Sequence, residues 1–275
     1  MKLSASKIMK KKLLLLICYA IILSGICYPA AELYCSAKGN FNSHLFRALE
    51  TTHISGEVFL LSNVRTDIEN ATRPLGDPTP MKAVWKNLKV DSSAIEDVYL
   101  IVEPMDQIRA LRDICTHDCL WFEFKQDFAA CCEDGYKTYG IVCSGQLTFK
   151  NDRQYFLFQF CSKEDYFKLA YCMDSTIYMY KLNLSECQKK RLFYNAIISA
   201  GERAANEEYH VINNNCINNM LELLNSVLPF YQRFNHWLVY KIIFNPLFCS
   251  PSFSEYIFRA HFLVKEKLPP FKVSY

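Results

Sequence analysis

The residue best suited to do chemistry is Cys216, which follows the run Asn213-Asn214-Asn215 directly before an apolar helical pattern. Any of these asparagines can cap a helix, so the pattern predicts Cys216 in the first helical turn. A helix N-terminus presents unpaired amides and partial positive charge, which stabilise a thiolate. Cys216 is therefore a candidate nucleophile. The alternative interpretation is a buried apolar thiol without a chemical role.

A thiol nucleophile usually needs a histidine to take its proton. Of the six histidines, His117 lies at the start of a strand-like segment, between Thr116 and Asp118. That position makes His117 the candidate base, although a single histidine is more often a surface or core residue.

Several thiols near His117 raise the question of a metal site. Cys115, Cys119 and the pair Cys131-Cys132 lie within one short stretch. Their spacing matches no zinc signature, and residues 115, 117 and 119 alternate onto one face of a strand. The sequence predicts no metal and no cofactor.

Two helices and a sheet must position these residues. Ser185 with Gln188 forms a capping box before an apolar stripe that ends near Asn206, and the second helix runs from the asparagines to Pro229. Short aromatic and β-branched runs predict a mostly antiparallel sheet, so the fold class is α+β. The predicted strands are residues 57–61, 98–102, 119–124, 136–142, 146–149, 155–160 and 176–182, and further helices are predicted at 41–52, 81–88 and 163–172.

The first 31 residues differ from the rest of the chain. They hold five of the 31 basic side chains, none of the 28 acidic ones, and an apolar run at 13–23 followed by Pro29-Ala30-Ala31. This pattern predicts a secretory signal peptide, or an uncleaved signal anchor. Because the basic charge is concentrated there, the remainder has no surplus for binding nucleic acid. The leader takes two of the 13 cysteines, which leaves an odd number.

Several motifs occur in an order that resembles one protein family. These are the run from Val98 to Asp106, then Arg109, His117, the segment Asp134-Gly135-Tyr136-Lys137-Thr138-Tyr139-Gly140, Leu182-Asn183-Leu184-Ser185, Tyr209 and Asn215-Cys216. Over about residues 97–228 the chain resembles the periplasmic N-terminal domain of Lnb-type lipoprotein N-acyltransferases, a family similar to permuted NlpC-type, papain-like folds. The resemblance implies a sheet packed against the helix that carries the nucleophile.

The resemblance implies that Cys216 forms an acyl-enzyme and that His117 is its general base. Thr138, Tyr139 and Asn215 are then the nearby polar residues that could orient the dyad, with Glu123 as a further option. Thr116, Thr138 and Ile217 stand where the family usually has Gly, Asn and Thr, so the third catalytic residue stays open.

The implied substrate is a lipid or a lipoprotein, with a peptide as second choice, and the domain could act at a membrane surface. The alternative is a catalytically inactive papain-like module that binds partners in the cell envelope. The predicted domain plan is a signal peptide at 1–31, an N-terminal extension at 32–96, the papain-like domain at 97–228 and a C-terminal extension at 229–275. The expected location is the periplasm or the outer face of a membrane.

Overall fold

The computed structural model describes residues 45–71, 81–104, 116–125, 130–150, 153–173, 175–203, 207–209, 214–234, 255 and 258–272. The predicted signal peptide at 1–31 lies outside these ranges, as do Cys115, Arg109 and Asn213.

A mixed sheet of thirteen strands forms the centre of the described structure. Its main path has the order β12-β10-β4-β5-β8-β9-β2-β3-β6-β7, while β1, β11 and β13 pair at its sides. The strands are β1 Glu50–Ser55, β2 Val58–Glu69, β3 Lys82–Asp91, β4 Ile95–Pro104, β5 Thr116–Phe124, β6 Ala130–Cys131, β7 Lys137–Thr138, β8 Gly140–Lys150, β9 Arg153–Ser162, β10 Thr176–Leu182, β11 Glu207–Glu208, β12 Val264–Lys267 and β13 Phe271–Lys272.

The described strands pair antiparallel except where β2 runs parallel to β9. Strands β1 to β3 of the predicted N-terminal extension join the same sheet as the strands that follow them, and β4 itself crosses the predicted boundary at residue 96. The broad α+β class is confirmed, and the papain-like assignment stays a prediction.

Three α-helices are described: α1 Lys163–Cys172, α2 Glu186–Glu202 and α3 Cys216–Asn225. The predicted capping box is confirmed, because the Ser185 side chain accepts from the Gln188 amide while the Gln188 side chain reaches back to the Ser185 amide. Helix α1 spans the predicted residues, with Ser162 as its cap.

The helices cover opposite faces of the sheet. On one face Phe193 of α2 and Met220 of α3 belong to the larger core. On the other face Tyr166 and Ala170 of α1 belong to a smaller core. Since successive side chains of a strand point to opposite faces, each central strand contributes alternately to both cores.

Two predicted helices are wrong. Within residues 41–52 the described part contains the beginning of β1 and no α-helix, and residues 81–88 fall almost wholly in strand β3. Strand β3 pairs with β2 from Lys82 to Asp91, and Leu88 and Val90 alternate inward. The pairing satisfies the backbone and buries those side chains, which outweighs a weak local preference for helix.

Candidate functional site

Cys216 is the first residue of α3 and lies where the sheet meets the helix. Asn215 caps the helix, since its Oδ1 accepts from the amide of Asn218 at 2.9 Å. Cys216 is only 8% exposed and belongs to the larger core. The sequence-predicted helix start is therefore confirmed, and the asparagine nearest the thiol provides the cap.

A polar cluster that the sequence did not reveal connects the end of α2 to the start of α3. Arg203 donates to Asn214 Oδ1 at 3.0 Å and also bonds Asn219 and Glu207. The buried Asn219 amide donates to Asn214 Oδ1 at 2.9 Å and to the carbonyl of Asn215 at 2.7 Å. The cluster fixes the backbone on both sides of Cys216. The signal in the sequence was the repeated asparagine, which indicated a cap but not its arginine partner.

Gly145 of β8 lies in close contact with the thiol-bearing residue. A Cβ at position 145 would lie 2.9 Å from Cα of Cys216 and 2.8 Å from a ring carbon of Phe156. Both distances are shorter than atoms normally approach. The missing side chain therefore allows the start of α3 to lie directly on β8.

The register between β5 and β8 decides which side chains share this face. Cys119 lies opposite Ser144 at the end of the described pairing, and His117 and Gln146 each lie two residues beyond it on their strands. Leu120 and Cys143 point to the core of α3, whereas Cys119 points to the core of α1. We call the side of the sheet that packs on α1 the α1 face, and the side that packs on α3 the α3 face. Because successive side chains alternate, His117 belongs to the α1 face, whereas Asp118 belongs to the α3 face, the same face as Gly145.

His117 lies in a polar cluster of its own on the α1 face. Its Nε2 is 2.6 Å from Ser144 Oγ and 3.1 Å from Gln146 Nε2, and Gln146 also donates to Ser144 Oγ at 2.6 Å. Burial lowers the pKa of His117 to about 4, so the ring is neutral at pH 7. Neither partner was predictable from the sequence, because contact with them depends on strand register.

The structure places His117 and the start of α3 on opposite faces of the sheet. The histidine ring hydrogen-bonds on the α1 face, whereas Cys216 packs on the α3 face against Gly145. A dyad requires the ring nitrogen within hydrogen-bonding reach of the thiol. The described hydrogen bonds of the His117 ring go to Ser144 and Gln146, so the dyad and the individual roles of both residues stay predictions.

Three of the predicted orienting residues, Thr138, Tyr139 and Glu123, lie far from His117. Gly140 pairs with Glu123, six residues along β5 from His117, which is about 20 Å along an extended strand. Thr138 Oγ1 bonds Glu164 at 2.7 Å, Glu123 accepts from the hydroxyl of Tyr99 at 3.1 Å, and Tyr139 is exposed. None of these three side chains orients His117 in this structure.

Asp118 is the ionisable side chain that β5 places on the α3 face. It is almost fully buried. Tyr180 belongs to the same core as Cys216. Burial raises the pKa of Tyr180, and the nearby carboxylates Glu255 and Asp118 raise it further. A carboxyl group therefore lies on the same face as the helix that carries the thiol, and it is adjacent in sequence to the candidate base His117.

The thiols near His117 do not form a metal site in the described part of the chain. Cys119 and Cys161 are buried in the α1 core, and burial raises the pKa of both thiols. Over the described ranges, no three His, Cys, Asp or Glu side chains converge as ligands.

The family model for the Lnb N-terminal periplasmic domain matches residues 82–245, more than half of the chain. The chain belongs to this family. The match contains the whole of β5, β8 and α3, and it extends beyond the predicted domain at both ends. No curated protein and no solved structure matches the chain.

Membership of the Lnb family confirms the predicted periplasmic location. None of the helices in the described residues combines the length and hydropathy of a membrane span. The signal peptide stays a prediction, since it lies outside the described residues.

Proposed function

We propose that this periplasmic domain performs thiol-dependent acyl transfer or hydrolysis on lipid esters or amides, with Cys216 as the nucleophile. The observation that supports this most strongly is the place of Cys216 in the first turn of a capped helix, in a chain of the Lnb family. That family resemblance favours a role in lipoprotein processing.

The proposed reaction follows from the geometry of the helix start. The thiolate attacks a carbonyl carbon, the leaving alcohol or amine takes a proton, and an amine or water then releases the acyl group from sulfur. Asn215 already engages the amide of Asn218, so the amides earlier in the turn are the candidates to hold the oxyanion.

Two residues are candidates to accept the thiol proton. The resemblance implies His117, which could act only with its ring on the α3 face of the sheet. Asp118 already belongs to that face and is buried there, and a carboxylate can also act as a general base. Separate substitution of these two residues distinguishes the alternatives.

A specific observation also favours the second candidate function, an inactive module that binds partners in the envelope. His117 is held by Ser144 and Gln146, on the opposite face from the thiol. If this arrangement persists when substrate is present, the domain would retain the fold without the Cys-His chemistry.

Alkylation of the native protein by iodoacetamide tests the proposal. Cys187 is an internal comparison, because it lies exposed in the first turn of α2. We expect Cys216 to react faster than Cys187 despite its lower exposure, and Cys216→Ser to remove that fast phase. His117→Ala and Asp118→Asn then show which residue takes the proton. If Cys216 reacts more slowly than Cys187, the thiol mechanism is wrong and the binding module is supported.

A substrate comparison sharpens the same test. We expect the wild-type protein to release acyl groups from a short-chain phospholipid but not from a peptide ester, and Cys216→Ser to lose this release. Release from the peptide alone would replace the lipid with the second-choice substrate.

A further inference from the structure

Three large aromatic side chains protrude from two turns that are in contact with each other. Phe230 is 85% exposed, Tyr231 is 81% exposed and Phe262 is 72% exposed. We call these three residues the aromatic tip. Ile54, the next most exposed large apolar side chain in the described residues, reaches only 48%. Large apolar side chains exposed on neighbouring turns are typical of a binding surface.

The aromatic tip is built on two turns that are held against each other. His261 Nδ1 donates to the carbonyl of Gln232 at 3.1 Å, and its ring packs against Phe234 with centroids 4.5 Å apart and a tilt of 31° between the planes. Asn225, the last residue of α3, bonds the backbone of Phe234 through both its amide and its carbonyl group. These contacts set the positions of the protruding rings before any partner binds.

Phe262 has a backbone conformation that a phenylalanine rarely adopts. Its φ of 57° lies in the left-handed region, which favours glycine and is strained for a bulky side chain. The ring makes no compensating contribution to the core, because it is mostly exposed. Strain that folding does not explain points to a function for the side chain.

The partner that fits these features is a lipid bilayer. The rings project outward, which suits insertion between lipid headgroups, where aromatic side chains are favoured. The exposed cations Arg233 and Lys265 flank the two turns and complement anionic phosphates. We propose that the aromatic tip inserts into the interfacial layer of a membrane facing the periplasm. The choice of a lipid partner rests on the proposed function, whereas the surface itself is independent of Cys216.

Phe262→Gly is the most informative variant, because glycine relieves the backbone strain. We expect its thermal midpoint to equal or exceed that of the wild type, while its binding to vesicles of phosphatidylcholine and phosphatidylglycerol falls about tenfold. A purely structural role for Phe262 predicts the reverse, a lower midpoint with unchanged binding. We expect Phe230→Ser to weaken binding to a similar degree.

Ile54→Ser is the matched control, since it removes an exposed apolar side chain from the edge strand β1 and should leave vesicle binding unchanged. Cys216→Ser should also bind normally, so a failure of the thiol mechanism would not be mistaken for a failure of the tip. Absence of wild-type binding would overturn the proposal. So would dimerisation that Phe262→Gly abolishes in gel filtration, because the tip would then serve a second copy of the chain.

Discussion

The two faces of the β5–β8 pair use consecutive residues for different purposes. Gly145 faces α3 and brings the Cys216 backbone against the sheet, whereas Ser144 and Gln146 on either side of it bond His117 on the face of α1. One face is a close-packed contact between helix and strand, and the other is a small polar cluster. Adjacency in the sequence therefore separates side chains in a sheet, and the pair His117-Asp118 is divided in the same way.

Gly145→Val would most severely disrupt the packed face. A side chain at this position meets the Cys216 backbone and the Phe156 ring, so either α3 or the ring must move. We expect a loss of about 3 kcal/mol in the free energy of unfolding, measured by urea denaturation.

Gly201→Ala is the control for this substitution. Gly201 lies in α2 and a Cβ there meets nothing within 4 Å. Alanine should raise stability by about 1 kcal/mol, since it is the better helix former. Equal losses in both variants would show that Gly145 is not the close contact between β8 and α3.

The polar face should respond to pH through His117. Its pKa falls from an ordinary 6.5 to about 4 on folding, so the unfolded chain binds more protons between these values. The stabilisation from the neutral ring is therefore complete above pH 6.5 and is lost as the pH falls toward 4. We expect the free energy of unfolding of the wild type to fall by about 2 kcal/mol over this window. This is less than the full pKa shift corresponds to, because the ring is partly solvated.

His117→Gln removes the titrating group and should flatten this part of the stability curve, which urea unfolding at a series of pH values would record. An unchanged slope in this variant would assign the pH dependence to other groups.

Asn215→Ala would test the helix start on the packed face. The capping side chain is buried and bonds the amide of Asn218, so its loss should cost about 1.5 kcal/mol. The exposed cap Ser185 of α2 offers the matched variant, for which Ser185→Ala should cost about 0.5 kcal/mol. Asn215→Ala should also slow alkylation of Cys216, whereas Ser185→Ala should leave alkylation of Cys187 unchanged. That result would show that the cap of α3 affects the reactivity of the thiol as well as the stability of the protein.

Features that depend on nearby residues were predictable from the sequence. The capping box at Ser185, a cap at one of the three asparagines before Cys216 and the whole of α1 follow from side chains within one or two turns of each other. The position of Cys216 at a helix start was predicted for the same reason.

Features that depend on strand pairing were not predictable. Residues 81–88 form a strand because they pair with β2, and no local sequence pattern predicts that pairing. His117 contacts Ser144 because of the β5–β8 register, and a shift of one residue would move it to the other face. The motifs identified the family, and the role of Cys216 stays a prediction, whereas the face of each side chain required the three-dimensional structure.

The parallel contact of β2 with β9 makes folding depend on the order in which the chain crosses the membrane. Arg65 of β2 pairs with buried Asp165 at 2.9 Å, and one hundred residues separate them. In a chain exported from its N-terminus, β2 reaches the periplasm long before α1 supplies this carboxylate. We expect β2 to keep one edge unpaired after β1 to β3 have formed. Pairing of β2 with β9 would then be a late and slow step of folding.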